Sequence, residues 1–152
     1  MKMMKTREGD LLKEVHSGII IHGCNAQGVM GGGFALQVKN IYPKAYDRYK
    51  GMLERHEANR CSSCLGSVSV VKVTPDLIIA NAITQEHYGT DRRHVDYEAI
   101  THSFELIASA YPDTPIHYPM IGAGLAGGNW TIISTIINET LIGLDHTLWV
   151  LK

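Results

Sequence analysis

The sequence predicts an α/β fold built on a mixed, mostly parallel six-stranded sheet with helices on both faces. Three observations carry this. Short β-branched or apolar runs, such as Ile19-Ile20-Ile21, read as strands buried on both sides. These runs alternate with segments of helical period, the pattern of parallel sheets joined by crossover helices. Two glycine-rich stretches, Gly28–Gly33 and Gly122–Gly128, each follow a strand and lead into a helix.

The elements follow in order. The stretch 1–7 is expected as a first strand, and Gly9-Asp10 turns the chain into a short helix over Leu11–Val15. Ser17-Gly18 turns it again into the strand Ile19–His22. A helix is predicted from Gly33 to Tyr42, with Phe34, Leu36, Val38 and Ile41 as its apolar positions. Pro43 ends it and suits the first position of the next helix, 44–57. Strands are expected at Val68–Val73 and Leu77–Ile83, separated by the turn Thr74-Pro75-Asp76. The polar stretch 84–94 leads to a helix over 95–111, where Ile100, Phe104, Ile107 and Ala108 recur at helical spacing. A strand over Ile116–Met120, a helix over 129–142 stopped by Gly143, and a last strand over Leu148–Leu151 complete the set.

At 152 residues, with 45 % apolar and 19 % charged side chains, the chain is long enough for one globular domain with its own core. A net charge of −1 argues against a wholesale nucleic-acid binder, which is usually strongly basic. Residues 1–10 show no signal-peptide pattern, and no apolar run approaches the ~20 residues that span a bilayer. Three cysteines, Cys24, Cys61 and Cys64, cannot all pair, and so sparse a set fits a reducing compartment. A soluble, cytoplasmic protein with no membrane partner is expected.

The first glycine loop runs His22-Gly23-Cys24-Asn25 through Gly31-Gly32-Gly33-Phe34. Three glycines at the start of a helix expose N–H groups that have no partner within the helix. These carry the positive end of the helix dipole, about half an elementary charge. An anion such as a diphosphate fits there. No Gly-Lys-Ser/Thr follows, so this is not a P-loop, and it is not the G-x-G-x-x-G of dinucleotide-binding folds. The second loop, Gly122-Ala123-Gly124-Leu125-Ala126-Gly127-Gly128, promises the same physics. Two such loops at one sheet edge point to one diphosphate-bearing ligand.

In these residues the chain resembles the macro domain family. His22-Gly23-Cys24-Asn25, the triple glycine 31–33, Tyr42-Pro43-Lys44-Ala45 and Gly9-Asp10-Leu11 are similar to the pattern of small single-domain ADP-ribose-1''-phosphate phosphatases. The resemblance spans residues 1–152 as one macro domain. It implies a ligand site of Asp10, Leu11, Asn25, Gly31, Gly32, Gly33, Phe34, Gly122, Ala123, Gly124, Leu125 and Ala126. Asp10 would accept from the adenine amino group, or simply cap the short helix. Asn25 would contact the distal ribose, or serve the turn with its own side chain. His22 would act with Asn25 in catalysis, as acid/base or nucleophile, given an imidazole that titrates near pH 6.5. A core histidine satisfied by backbone is the other reading of that position. No cofactor and no metal are implied.

The terminal ADP-ribose glycohydrolases, also similar over the same length, use a lysine and an aspartate where this chain has Gln85 and Ala126. Neither side chain can replace them. Position 126 also lacks the aromatic residue many macro domains place over the distal ribose. The stretch 85–97 holds His87, Arg92 and Arg93, which can meet a terminal phosphate or remain solvated, with Asp96 capping the next helix. Cys61-Ser62-Ser63-Cys64 has zinc half-site spacing but no second pair. Tyr42, Tyr46 and Tyr49 are explained by packing or a solvated face. The expectation is removal of the terminal phosphate from ADP-ribose-1''-phosphate. Rivals are cleavage of ADP-ribose from macromolecules, deacetylation of O-acetyl-ADP-ribose, and a non-catalytic reader or sponge. The partner is a small ADP-ribose derivative or an ADP-ribosylated macromolecule. A Rossmann-type oxidoreductase is disfavoured by the missing acidic residue after the glycines.

Overall fold

The computed structural model describes residues 4–58, 64–89, 91–123 and 126–151. Its elements are β1 (Lys5–Glu8), α1 (Leu11–Glu14), β2 (Gly18–Asn25), α2 (Gly33–Ile41), α3 (Pro43–Ala58) and β3 (Val68–Thr74). After these come β4 (Leu77–Gln85), α4 (Tyr97–Ala110), β5 (Ile116–Tyr118), α5 (Trp130–Thr140) and β6 (His146–Val150). The six strands form one sheet in the order β1-β6-β5-β2-β4-β3. All neighbours run parallel except β3 and β4, which Thr74-Pro75-Asp76 joins into an antiparallel pair.

Alternation along β2 divides the core. Ile19 and Ile21, with Ala80 and Ala82 of β4, meet Ile100, Phe104 and Ile107 of α4 and Ile133 and Ile137 of α5. Ile20, with Leu77 and Ile79, meets Leu11 and Leu12 of α1 and Val38 of α2. Successive β-strand side chains point to opposite faces, so the Ile-Ile-Ile run is covered on both sides. All three isoleucines are fully buried, as the sequence pattern requires.

Local signals set the helix starts. Asp96 Oδ1 accepts from the Ala99 N–H at 2.9 Å and caps α4. Pro43 opens α3, where its missing N–H costs nothing. Several boundaries differ from the sequence reading. β2 and β4 extend to Asn25 and Gln85 because their parallel ladder continues from His22↔Asn81 to Asn25↔Gln85 across a bulge. β5 stops at Tyr118, since Pro119 has no N–H for the ladder. α5 ends at Thr140, before Gly143 turns the chain at φ +80°. β6 begins at His146, two positions before the expected Leu148.

Strands β2, β4 and β5 therefore end at the same sheet edge. After β2 the chain passes to the face carrying α2 and α3. After β4 and β5 it passes to the face carrying α4 and α5. The loops diverge there and leave a crevice at the carboxyl ends of the strands. Among the described residues, no helix is long and apolar enough to cross a membrane.

Candidate functional site

A cavity of about 510 Å³ opens in this crevice. That lies within the range of small-molecule sites, roughly 300–1,000 Å³. The end of β2 forms its floor through His22, Gly23, Cys24 and Asn25. One wall is Val29, Gly31, Gly32, Gly33, Phe34 and Ala35. The opposite side comes from Pro119 to Gly122 and Ala126, and the rim from Gln85, Tyr88 and Gly89.

The first loop opens a helix whose N-terminus has no side-chain cap. Gly32 is the N-cap of α2 and offers no side chain to its N–H groups, while Gly33 follows at φ +58°. The first turn of α2 faces the cavity through residues 31–35. Its unpaired N–H groups and the helix dipole favour negative charge there. At the second loop the helix that follows carries its own cap. Asn129 Oδ1 accepts from the Thr131 N–H at 2.9 Å, so α5 is capped by its own chain. Asn129 is not part of the cavity wall. Gly122 sits at φ +74°, and the Gly128 N–H donates to its carbonyl at 2.6 Å. The loop lines the cavity through Gly122 and Ala126, and among the described residues only α2 presents an open N-terminus to it.

Asn25 organises the first loop. Its Oδ1 accepts from the Gln27 N–H at 2.9 Å, and its Nδ2 donates to the Val29 carbonyl at 2.7 Å. The buried Tyr49 hydroxyl accepts from the Gly28 N–H at 3.1 Å. It also lies 2.7 Å from the Asn25 carbonyl and 2.8 Å from Oδ1, one of which takes its proton. The turn-residue reading of Asn25 therefore holds, and one Nδ2 hydrogen remains for a ligand. The sequence assigns Tyr49 only to packing or a solvated face, because its hydrogen-bond partners lie 21 and 24 positions away.

His22 corrects the picture of a freely titrating imidazole. It lines the floor yet is 1 % exposed. Burial pushes its pKa down to about 4, against the smaller opposing effect of the hydrogen bond to Asn81. At pH 7 the ring is neutral in all but roughly one molecule in a thousand. At rest the ring therefore offers a lone pair rather than a second proton. Burial also holds the Cys24 thiol, 3.8–3.9 Å from the ring nitrogens, well above its usual range. Its thiolate is therefore disfavoured.

Other expected site residues lie elsewhere. Asp10 Oδ1 accepts from the Leu12 N–H at 3.2 Å and caps α1, and the Leu11 side chain is in the core. Asp10, Leu11 and Ala123 are not part of the cavity wall. Gly124 and Leu125 lie outside the described residues, as do Thr90 and Cys61-Ser62-Ser63 of the half-site sequence. The stretch after β4 folds against the second loop, with the His94 N–H donating to the Ala126 carbonyl at 2.8 Å. It reaches the cavity through Gln85, Tyr88 and Gly89 rather than through its arginines. The Arg93 guanidinium lies 4.6 Å from the Tyr97 ring centroid instead. None of the described lining residues carries a formal charge at neutral pH.

An α/β/α sandwich with a helix N-terminus opening onto a crevice at the strand ends defines a class of anion- or nucleotide-binding module. No family model matches the chain. It is 33 % identical over 170 aligned positions to a Candida glabrata protein named ADP-ribose 1''-phosphate phosphatase, covering 93 % of this chain and 95 % of that one. The fold matches a macrodomain protein from Streptomyces coelicolor with a TM-score of 0.80 and 30 % identity, over 97 % of this chain and 98 % of that one. It also matches the macrodomain of Thermus aquaticus DarG, with a TM-score of 0.78 and 27 % identity, over 99 % and 98 %. The chain belongs to the macro domain family.

Proposed function

We propose that this protein binds ADP-ribose derivatives and hydrolyses the terminal phosphate of ADP-ribose-1''-phosphate. The observation that carries the reading is the open N-terminus of α2 on a cavity floored by His22 and Asn25. The near full-length similarity to a named phosphatase supports it. Gly31, Gly32, Gly33 and Phe34 receive the diphosphate through backbone N–H groups. Gly122, Ala123, Gly124, Leu125 and Ala126 are the second ligand stretch that the family resemblance implies, and Gly122 and Ala126 line the cavity. Asn25 holds the first loop in shape and offers its remaining N–H to the distal ribose. Asp10 and Leu11 take the adenine beyond the cavity wall, through the carboxylate oxygen not used in capping and the Leu11 backbone.

His22, neutral at physiological pH, supplies its lone pair either to an attacking water or to phosphorus directly. On the water route His22 takes the water's proton as the water oxygen bonds phosphorus, and the imidazolium so formed returns that proton to the departing ribose oxygen. On the direct route the ribose oxygen leaves first and water then cleaves the phospho-histidine. Either way ADP-ribose and inorganic phosphate result. Positioning by backbone groups supplies much of the remaining rate enhancement. A second reading, a non-catalytic reader, is favoured by the uncharged described lining.

Calorimetric titration with ADP-ribose and phosphate release from ADP-ribose-1''-phosphate, measured on one sample, separate the two. The phosphatase reading expects binding and turnover, with turnover lost and binding kept in His22→Ala. Binding without turnover makes the protein a reader or a different hydrolase. No binding at millimolar ligand overturns both readings.

A further inference from the structure

His22 and Asn81 sit opposite each other in the parallel ladder of β2 and β4, with side chains on the same face. Asn81 is fully buried. Its Nδ2 donates to the Ala45 carbonyl at 3.1 Å and to Ser69 Oγ at 2.9 Å. These two bonds use both amide hydrogens and fix the orientation of the amide. Its Oδ1 is thereby turned to His22 Nε2, 2.6 Å away. An amide oxygen only accepts, so the Nε2 of the neutral ring must carry the hydrogen. The ring's lone pair is then confined to Nδ1.

We propose that Asn81, held by Ser69 and the Ala45 backbone, is a positioning residue that locks His22 in the neutral Nε2–H form and so makes Nδ1 the reacting nitrogen. This rests on the reading of His22 given above. Asn81 touches no ligand; it acts through the ring. Ordinary imidazole exchanges between its two neutral forms. Misplacing the hydrogen would leave the ring a donor where the reaction needs an acceptor. A neutral amide achieves this without a buried carboxylate, which would draw a second proton onto the ring.

The test begins on the ligand-free full chain, with long-range nitrogen–proton NMR of the histidines at neutral pH. The wild type is expected to show His22 as a single Nε2–H form, with a slowly exchanging proton. Asn81→Leu is expected to lose that signature. Its kcat for phosphate release should fall roughly tenfold or more, with affinity for ADP-ribose changed by less than about threefold.

An Nδ1–H form in the wild type overturns the proposal, even if Asn81→Leu cannot be folded. A tautomer and kcat that ignore the Leu substitution overturn it as well. The wild-type spectrum needs no ligand, so failure of the lock is distinguishable from failure of the phosphatase reading. The latter would appear as phosphate release unaffected by His22→Ala.

Discussion

Burial of a neutral His22 makes stability depend on pH in a way that one substitution isolates. In the unfolded chain this imidazole takes a proton near its ordinary value of 6.5; in the folded protein it does so only near pH 4. The folded value is depressed, so the full contribution is present above pH 6.5 and is lost as pH falls from 6.5 towards 4. At ~1.4 kcal/mol per pH unit the complete loss is about 3 kcal/mol. Between about pH 7.5 and about pH 5 the loss is about 2 kcal/mol, a large part of a total that is typically ~5–15 kcal/mol.

His117 and His146 are also shifted down by burial and add to the slope in the same direction. Urea unfolding of the wild type and His22→Gln at both pH values removes their share by difference. The wild type should lose about 2 kcal/mol more than the variant. Equal losses in the two proteins would refute a buried, neutral ring and, with it, a lone pair ready at pH 7.

Three further predictions rest on the loops. Tyr49→Phe removes a buried hydroxyl that serves Gly28 and Asn25, and should cost about 2 kcal/mol, or roughly 4–8 °C in a thermal melt, with weaker ADP-ribose binding by titration. Asp96→Ala deletes the cap of α4 and should cost about 1 kcal/mol in urea unfolding while leaving phosphate release near wild type. Gly128→Ala puts a methyl group 2.5 Å from Val95 Cγ1 and 2.6 Å from the Gly122 carbonyl, so the wall must shift. A loss of about 1–3 kcal/mol is expected, with a raised Kd for ADP-ribose.

Features with a local cause were legible in the sequence. The triple isoleucine announced a doubly covered strand, Pro43 and Asp96 announced helix starts, and Gly31-Gly32-Gly33 announced an open N-terminus. Contacts that join distant segments were not. Asn81 reads as one polar residue in an apolar strand, and only the β2–β4 register brings it to His22, 59 positions away. Tyr49 reads as a core aromatic until the fold brings its hydroxyl under the first loop. Asn129 did carry a usable signal, since an asparagine just before an apolar helical run is a cap. That signal would have shown that the two glycine loops are not equivalent. The effect of burial on His22 needed the finished sandwich.

The absence of charge among the described lining residues has a consequence for how a ligand arrives. Lysine and arginine at a site mouth extend a field into solvent and speed the approach of anions. Here the chain carries a net charge of −1, and the positive potential facing the cavity comes from peptide dipoles in the first turn of α2. Dipole fields fade within about a turn of the helix end. An anion is thus recognised only at contact. Capture should proceed at an unsteered rate, about 10⁵–10⁷ M⁻¹s⁻¹, that stays nearly level as salt is raised. Selectivity would then lie in the departure rate, where backbone N–H groups either fit the diphosphate or let it go.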